Sequence, residues 1–287
     1  MKKIIFNTFL LITIVTFNSC DKVDQPFKTI EVEPGGRKIL IEEFTGHTCT
    51  ACPAAAVELQ RLVDVYGDQI IPLAIHAGDP TFNAPRLLPD GSPAQLINGV
   101  AAYTTDFRTS DGSNYASTFG ITGNGLPKGI VSRQNGAAGT SPAQWESEIL
   151  AIKDIPQIAD IEITTVYDST SRSVTADIAI NWLSNSISGN NYKLQVYIIE
   201  DHIIDWQLNN GVDVLDYDHR HVFRGTVNST WGETINATAQ GTSTNKTYSY
   251  TLDSSWNQDN CEVVAFIYKE SPDYEIMQAN IEHVTTH

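Results

Sequence analysis

The sequence predicts an α/β domain followed by an all-β antiparallel sandwich of Ig-like type, and three observations carry that prediction. A strand, a helix and a second strand follow one another between residues 38 and 76. After Pro156 the apolar period changes from helical to two. Short strands separated by polar turns then recur to the C-terminus. With 287 residues, two domains are the default expectation.

Residues 1–19 read as a signal peptide. Lys2 and Lys3 form a basic start, and Ile4 to Phe17 is an apolar run too short for a membrane span. It ends in Phe17-Asn18-Ser19-Cys20, which is similar to a bacterial lipobox, well matched at Ser19 and Cys20 and loosely at Phe17 and Asn18. Acylation of Cys20 would anchor the chain, since each buried methylene contributes about 0.8 kcal/mol. A plain secretory signal with an incidental Cys is the alternative. Residues 20–36 then form a lipidated polar tether.

The first domain is expected at 37–155. Its strand Lys38-Ile39-Leu40-Ile41-Glu42-Glu43-Phe44 leads to a helix from Pro53 to Tyr66 with Val57, Leu59, Leu62, Val63 and Tyr66 as its apolar stripe, and Ile70 to His76 forms the second strand. Such a βαβ unit is right-handed and parallel. Cys49 and Cys52 stand at the first strand–helix join, and a C-x-x-C there reads as a thioredoxin-like redox motif. An insertion is expected at about 79–118, because residues 77–125 are too long for a simple connection and hold Pro80, Pro85, Pro89 and Pro93. Ser113 to Phe119 is a short helix within it. The Gly-rich approach to Leu126-Pro127-Lys128-Gly129-Ile130-Val131 resembles the thioredoxin superfamily element that sets a cis-proline against the cysteines. That likeness makes Pro127 a cis residue, a form found in only about 5% of X–Pro bonds; an ordinary trans Pro at a strand entrance is the alternative. Ser141-Pro142-Ala143-Gln144 opens the last helix with a capping box, and Trp145, Ile149 and Ile152 share its inner face.

The second domain is expected at 156–287. Ile161 to Thr165, Val174 to Trp182, Tyr192 to Glu200, Thr247 to Leu252, Glu262 to Tyr268 and Glu275 to His283 are its strands. Cys261 would share a small apolar strand face with Val263, Ala265 and Ile267, so it reads as a buried inert thiol. His202 and Asp216 to Arg224 form one polar constellation, in which His219 and His221 would share a strand face. Without Cys partners or a fixed helical spacing this is a solvated edge rather than a metal site; neither metal nor cofactor is expected. The chain carries a net charge of −16, and loss of Lys2 and Lys3 with the signal leaves 16 basic against 34 acidic side chains. Such a field excludes nucleic acid as a partner.

The lipobox, Glu42-Glu43-Phe44-Thr45-Gly46 before C-x-x-C-Pro, Gly125-Leu126-Pro127 and Asp218-His219-Arg220-His221-Val222-Phe223-Arg224 together resemble the outer membrane protein 28-related lipoproteins over nearly the whole mature chain. The resemblance implies an outer-membrane, lipid-anchored protein, periplasmic or surface-facing, whose membrane partner is reached through Cys20. It brings little chemistry.

The chemistry comes from the motif. At a helix N-terminus Cys49 would be a stabilised, exposed thiolate and the nucleophile, and Cys52 the resolving thiol. Pro127 would shape the substrate edge. Glu43 occupies the place where thioredoxins carry a buried acid that serves the resolving Cys, or else faces solvent; His47 is expected exposed, the alternative being a protonated imidazole near the thiolate. Thr48 replaces the thioredoxin Trp and Thr50-Ala51 the Gly-Pro, which alters potential and direction but keeps the dithiol. Two functions stay open: thiol–disulfide exchange with a protein dithiol or disulfide partner, and a non-enzymatic surface binding or adhesion lipoprotein with a structural Cys49–Cys52 bond. A four-residue loop gains little from cross-linking, which favours exchange.

Overall fold

The computed structural model describes residues 36–184, 192–236 and 239–285. The signal segment and Cys20 lie outside the described residues. The first strand, β1 (Ile39–Thr45), is followed by α1 (Cys52–Tyr66) and β2 (Ile70–His76). The insertion carries α2 (Pro80–Asn83), the two-residue strands β3 (Leu96–Ile97) and β4 (Val100–Ala101), and α3 (Ser110–Thr118). Next come β5 (Lys128–Val131), a turn of helix α4 (Gln134–Ala137) and α5 (Pro142–Ile152). Ser141 and Gln144 close the expected capping box at the start of α5.

The rest is strand: β6 (Ala159–Asp168), β7 (Ser173–Trp182), β8 (Tyr192–Glu200), β9 (Ile203–Asn209), β10 (Val212–His219), β11 (Val222–Thr226), β12 (Glu233–Ile235), β13 (Ser243–Thr251), β14 (Cys261–Lys269) and β15 (Ile276–His283). One mixed sheet runs β15-β14-β8-β11-β2-β1-β5, with β12 also paired to β8. β1 and β2 are parallel, and β5 is antiparallel to β1. A three-stranded antiparallel sheet, β13-β7-β6, packs on the far part of the mixed sheet around Trp182, Ile178, Val196 and Val263. Apart from β9 and β10, which pair with each other as a separate hairpin, the strands after Pro156 thus form two packed sheets, but one of the two is shared. Where Val222 meets Ala74, β11 joins β2, and the Ala74 amide donates to the His221 carbonyl at 2.8 Å.

Alternation along β1 sends its residues to two different cores. Ile39 and Ile41 meet Leu59, Leu62, Trp145 and Ile149 under α1 and α5. Leu40 and Phe44 meet Tyr115, Tyr197, Phe223 and Phe266 on the other face, a core that draws on both halves of the chain. Within it Glu42 accepts two hydrogen bonds from the Arg133 guanidinium, at 2.6 and 2.8 Å, and both side chains are fully buried. On α1 the expected apolar stripe is narrower than its sequence: Val57 is 71% exposed. The inner positions of that helix are taken by Ala55, Leu59, Leu62 and Tyr66. No helix among the described residues is long and apolar enough to cross a membrane.

Candidate functional site

The loop between β1 and α1 carries the cysteine pair. Gly46 starts it because only a glycine fits: an added Cβ would lie 2.3 Å from the Phe82 carbonyl oxygen. The loop then tightens as the Cys49 amide donates to Gly46 O at 3.0 Å and the Cys52 amide to Cys49 O at 3.2 Å. Cys49 and Cys52 are joined in a disulfide with Cα atoms 5.4 Å apart. Helix α1 begins at Cys52, not before it, with Ala51 as its cap residue.

Both cysteines are 2% exposed, while Thr50 and Ala51 between them are on the surface. An exposed attacking sulfur at position 49 is therefore not what the folded chain presents. Two elements cover it. From the insertion, Phe82 O accepts from the Thr48 amide at 2.9 Å and Thr81 O from its hydroxyl at 3.0 Å. His47 donates from Nε2 to Ala84 O at 3.2 Å and is buried against Tyr103 and Phe107, contrary to the exposed position expected of it. Burial holds its pKa below the ordinary histidine value.

The second cover is the β9–β10 hairpin. Leu208 N donates to His47 O at 2.8 Å and Asn210 N to Thr50 O at 3.0 Å, while Gly211 N donates to Thr50 Oγ1 at 2.7 Å. The buried Gln207 amide donates to Cys49 O at 3.2 Å. Trp206 ties the hairpin to the insertion by donating from Nε1 to Ala101 O at 2.8 Å. Asn210 and Gly211 both have positive φ, 49° and 82°, which is what a two-residue hairpin turn requires. That Asn-Gly pair, flanked by alternating Trp206, Leu208, Val212 and Val214, is the signal that would have found this hairpin in the sequence.

Below Cys52 lies a cavity of about 200 Å³ between α1, the β1–β2 sheet face and the end of β10. Glu43, Thr45, Ala74 and His76 form its floor, Pro53, Ala56, Val57 and Val63 its apolar side, and Tyr217, His219 and His221 its far side. Glu43 is buried, and its Oε1 has no hydrogen-bond partner. Burial pushes its pKa up to about 8, against a smaller opposing pull from the Thr45 hydroxyl, so the carboxyl is mostly neutral at pH 7. His76 Nδ1 is likewise buried without a partner. Burial, and then the neighbouring His219, His47 and Arg224, hold it neutral, well below the usual range. His219 donates from Nε2 to Trp206 O at 3.2 Å, and burial lowers its pKa to about 4.

Of the residues singled out by sequence, Glu43 and Cys52 line the same cavity. Pro127 does not line it. The Leu126–Pro127 bond is cis, and the Phe44–Lys128 pairing sets Pro127 level with Thr45, at the end of the sheet from which the cysteine loop leaves. Cys261 is fully buried, donates to Asn257 O at 3.3 Å and has its pKa pushed up to about 12 by burial. His219 and His221 do not share a strand face: β10 ends at His219, and His221 sits in the joint before β11 with φ of 53°. Around that joint Asp201 pairs with Arg220 at 3.1 Å, and His202 Nδ1 lies 2.9 Å from Asp218.

Comparison with solved structures finds HBP35 of Porphyromonas gingivalis, 15% identical, with a TM-score of 0.61 over 87% of this chain and 76% of that one. A protein of Agrobacterium tumefaciens is 14% identical, with a TM-score of 0.51 over 88% of this chain and 96% of that one. These two likenesses are of fold. A domain of the outer membrane lipoprotein Omp28 from P. gingivalis, 19% identical, matches 45% of this chain and 96% of that domain with a TM-score of 0.32. No curated protein sequence matches closely enough to count as a relative. The family described as outer membrane protein Omp28 matches residues 112–286, which take in the hairpin over the disulfide and run from within α3 through β15. The chain belongs to the outer membrane protein Omp28 family, and its place is the outer membrane.

Proposed function

We propose that this outer-membrane protein is a lipid-anchored thiol–disulfide exchanger, in which a thioredoxin-like unit of β1, α1, β2, β5 and α5 carries the redox pair. Cys20 is the anchor. In the reduced, opened site Cys49 attacks a partner disulfide and Cys52 resolves the mixed disulfide, with Glu43 as the acid that exchanges the resolving thiol's proton. Pro127, at the same end of the sheet, shapes the edge a partner strand would meet. The observation that carries this reading is Glu43, a buried carboxyl without a partner for its Oε1 that lines the same cavity as Cys52. Burying such a group costs stability, and a disulfide that served only as a staple would have no use for it.

The test is the Cys49–Cys52 reduction potential together with insulin reduction by the mature chain, Cys49→Ser and Glu43→Gln. Exchange predicts activity lost in Cys49→Ser and slowed about tenfold or more in Glu43→Gln, in keeping with the size of general acid–base effects. A bond that stays closed well below the glutathione range, with Cys49→Ser indistinguishable from wild type, overturns it. The second reading, a surface binding lipoprotein with a structural disulfide, draws on the backbone hydrogen bonds that seal the hairpin over Cys49. Under that reading the same measurement gives no difference between the three proteins.

A further inference from the structure

The two sulfurs of the disulfide have different surroundings. Cys49 lies under the hairpin, its carbonyl held by Gln207 and its neighbours His47 and Thr50 held by Leu208 and Asn210. Cys52 is on the cavity wall. The mouth of that cavity is at the surface, where the exposed Val57 lies beside Gln60 and Arg220. A protein disulfide or dithiol needs the hairpin displaced before it reaches Cys49. A molecule that fits the cavity meets Cys52, and not Cys49, among the residues that line it.

The cavity limits what that molecule can be. About 200 Å³ is below the roughly 300 Å³ at which pockets for drug-sized ligands begin, and equals the liquid volume of about six or seven waters. Pro53, Ala56, Val57 and Val63 offer an apolar side, and Glu43 Oε1 and His76 Nδ1 two buried polar atoms without partners. The net charge of −16 disfavours molecules carrying carboxylates of their own.

We propose that this cavity admits a low-molecular-weight thiol without a fixed charge, which opens the disulfide by attack on Cys52 and so serves as the electron donor of the site. The inference rests on the exchange reading above and deepens it. In thiolate form the donor attacks Cys52 Sγ; the Cys49–Cys52 bond breaks, a donor–Cys52 disulfide forms and Cys49 leaves as the thiolate. A second donor thiolate attacks the donor sulfur of that mixed disulfide, releasing Cys52. Two thiols are oxidised to one small disulfide, one protein disulfide is reduced to two thiols, and the two protons shed by the donors are taken up by the two cysteines. Glu43 Oε1 and His76 Nδ1 bind the hydroxyl of the donor and hold its sulfur toward Cys52.

The experiment follows reduction of the full mature chain by 2-mercaptoethanol and by glutathione, with acid quenching, alkylation by N-ethylmaleimide and peptide mapping. The expected result is a 2-mercaptoethanol adduct on Cys52 with the alkyl group on Cys49, and reduction at least tenfold faster than by glutathione at equal thiolate concentration. Ala56→Trp, which fills the cavity, is expected to slow the 2-mercaptoethanol reaction about tenfold; Val57→Trp narrows the exposed mouth and repeats the test should the first variant fold poorly. An adduct on Cys49, or rates unchanged in both variants, overturns the inference and leaves the exchange reading standing. A bond that no thiol opens overturns both.

Discussion

Glu43 makes the stability of the protein depend on pH in a direction opposite to most carboxylates. Its carboxyl titrates near 4.5 in the unfolded chain and at about 8 in the folded one. Between those values the folded chain holds the extra proton, so this contribution is complete below pH 4.5 and is lost as pH rises through 8. Glu43→Gln removes the slope, and urea unfolding at pH 9 should find the variant more stable than wild type by on the order of 3–5 kcal/mol, with little difference at pH 4. Glu42, one residue earlier, has the opposite surroundings. Its carboxylate meets Arg133 on the other sheet face, among Tyr115, Phe119, Phe266 and Tyr268. Arg133→Leu leaves that carboxylate buried and unpaired and should cost roughly 3–5 kcal/mol in the same assay, whereas replacing both partners by apolar residues should cost much less. In the sequence Glu42 and Glu43 are two adjacent strand acids; period 2 sends them to opposite faces, but Glu42's partner Arg133 stands 91 positions away and Tyr217, His219 and His221 at the far side of the Glu43 cavity more than 170, which no local pattern encodes.

Among the elements, those set by local pattern were legible. The helix after Cys52, the strand Ile70–His76 and the capped helix α5 follow from periodicity and from Ser141 and Gln144. The close packing of α5 on β5 depends on Gly129, where an added Cβ would lie 2.3 Å from the Trp145 ring. Gly129→Ala should therefore destabilise by about 1–3 kcal/mol through overpacking, measurable as a shift in urea midpoint at unchanged m-value. The hairpin over the disulfide has no counterpart in the sequence reading, where His202 and Asp216 to Arg224 form a polar constellation and no strand is expected between them, although the Asn210-Gly211 turn lies there. The exposure of the cysteines could not be read without it. Four hydrogen bonds from β9 and its turn to residues 47–50 predict that the Leu208 and Asn210 amides exchange slowly with solvent in the oxidised protein. Exchange as fast as in open loops would show that the cover is not persistent.

At the scale of the whole molecule, the sequence signalled a change of period at Pro156 but not that one sheet crosses it. Strand pairing between β2 and β11 depends on residues 148 positions apart, and no local pattern encodes such a partner. The core holding Leu40, Phe44, Tyr197 and Phe266 crosses the same boundary. Calorimetry should accordingly show a single unfolding transition; two resolved transitions would mean that the halves are energetically independent. The β2–β11 pairing has one more consequence, for what happens when the chain is cut. A fragment ending near residue 155 would leave β2, with its run Ile70-Ile71-Pro72-Leu73-Ala74-Ile75, as a bare apolar border strand. Such a border recruits the strands of other molecules, so the isolated fragment should self-associate and precipitate rather than persist as a soluble monomer.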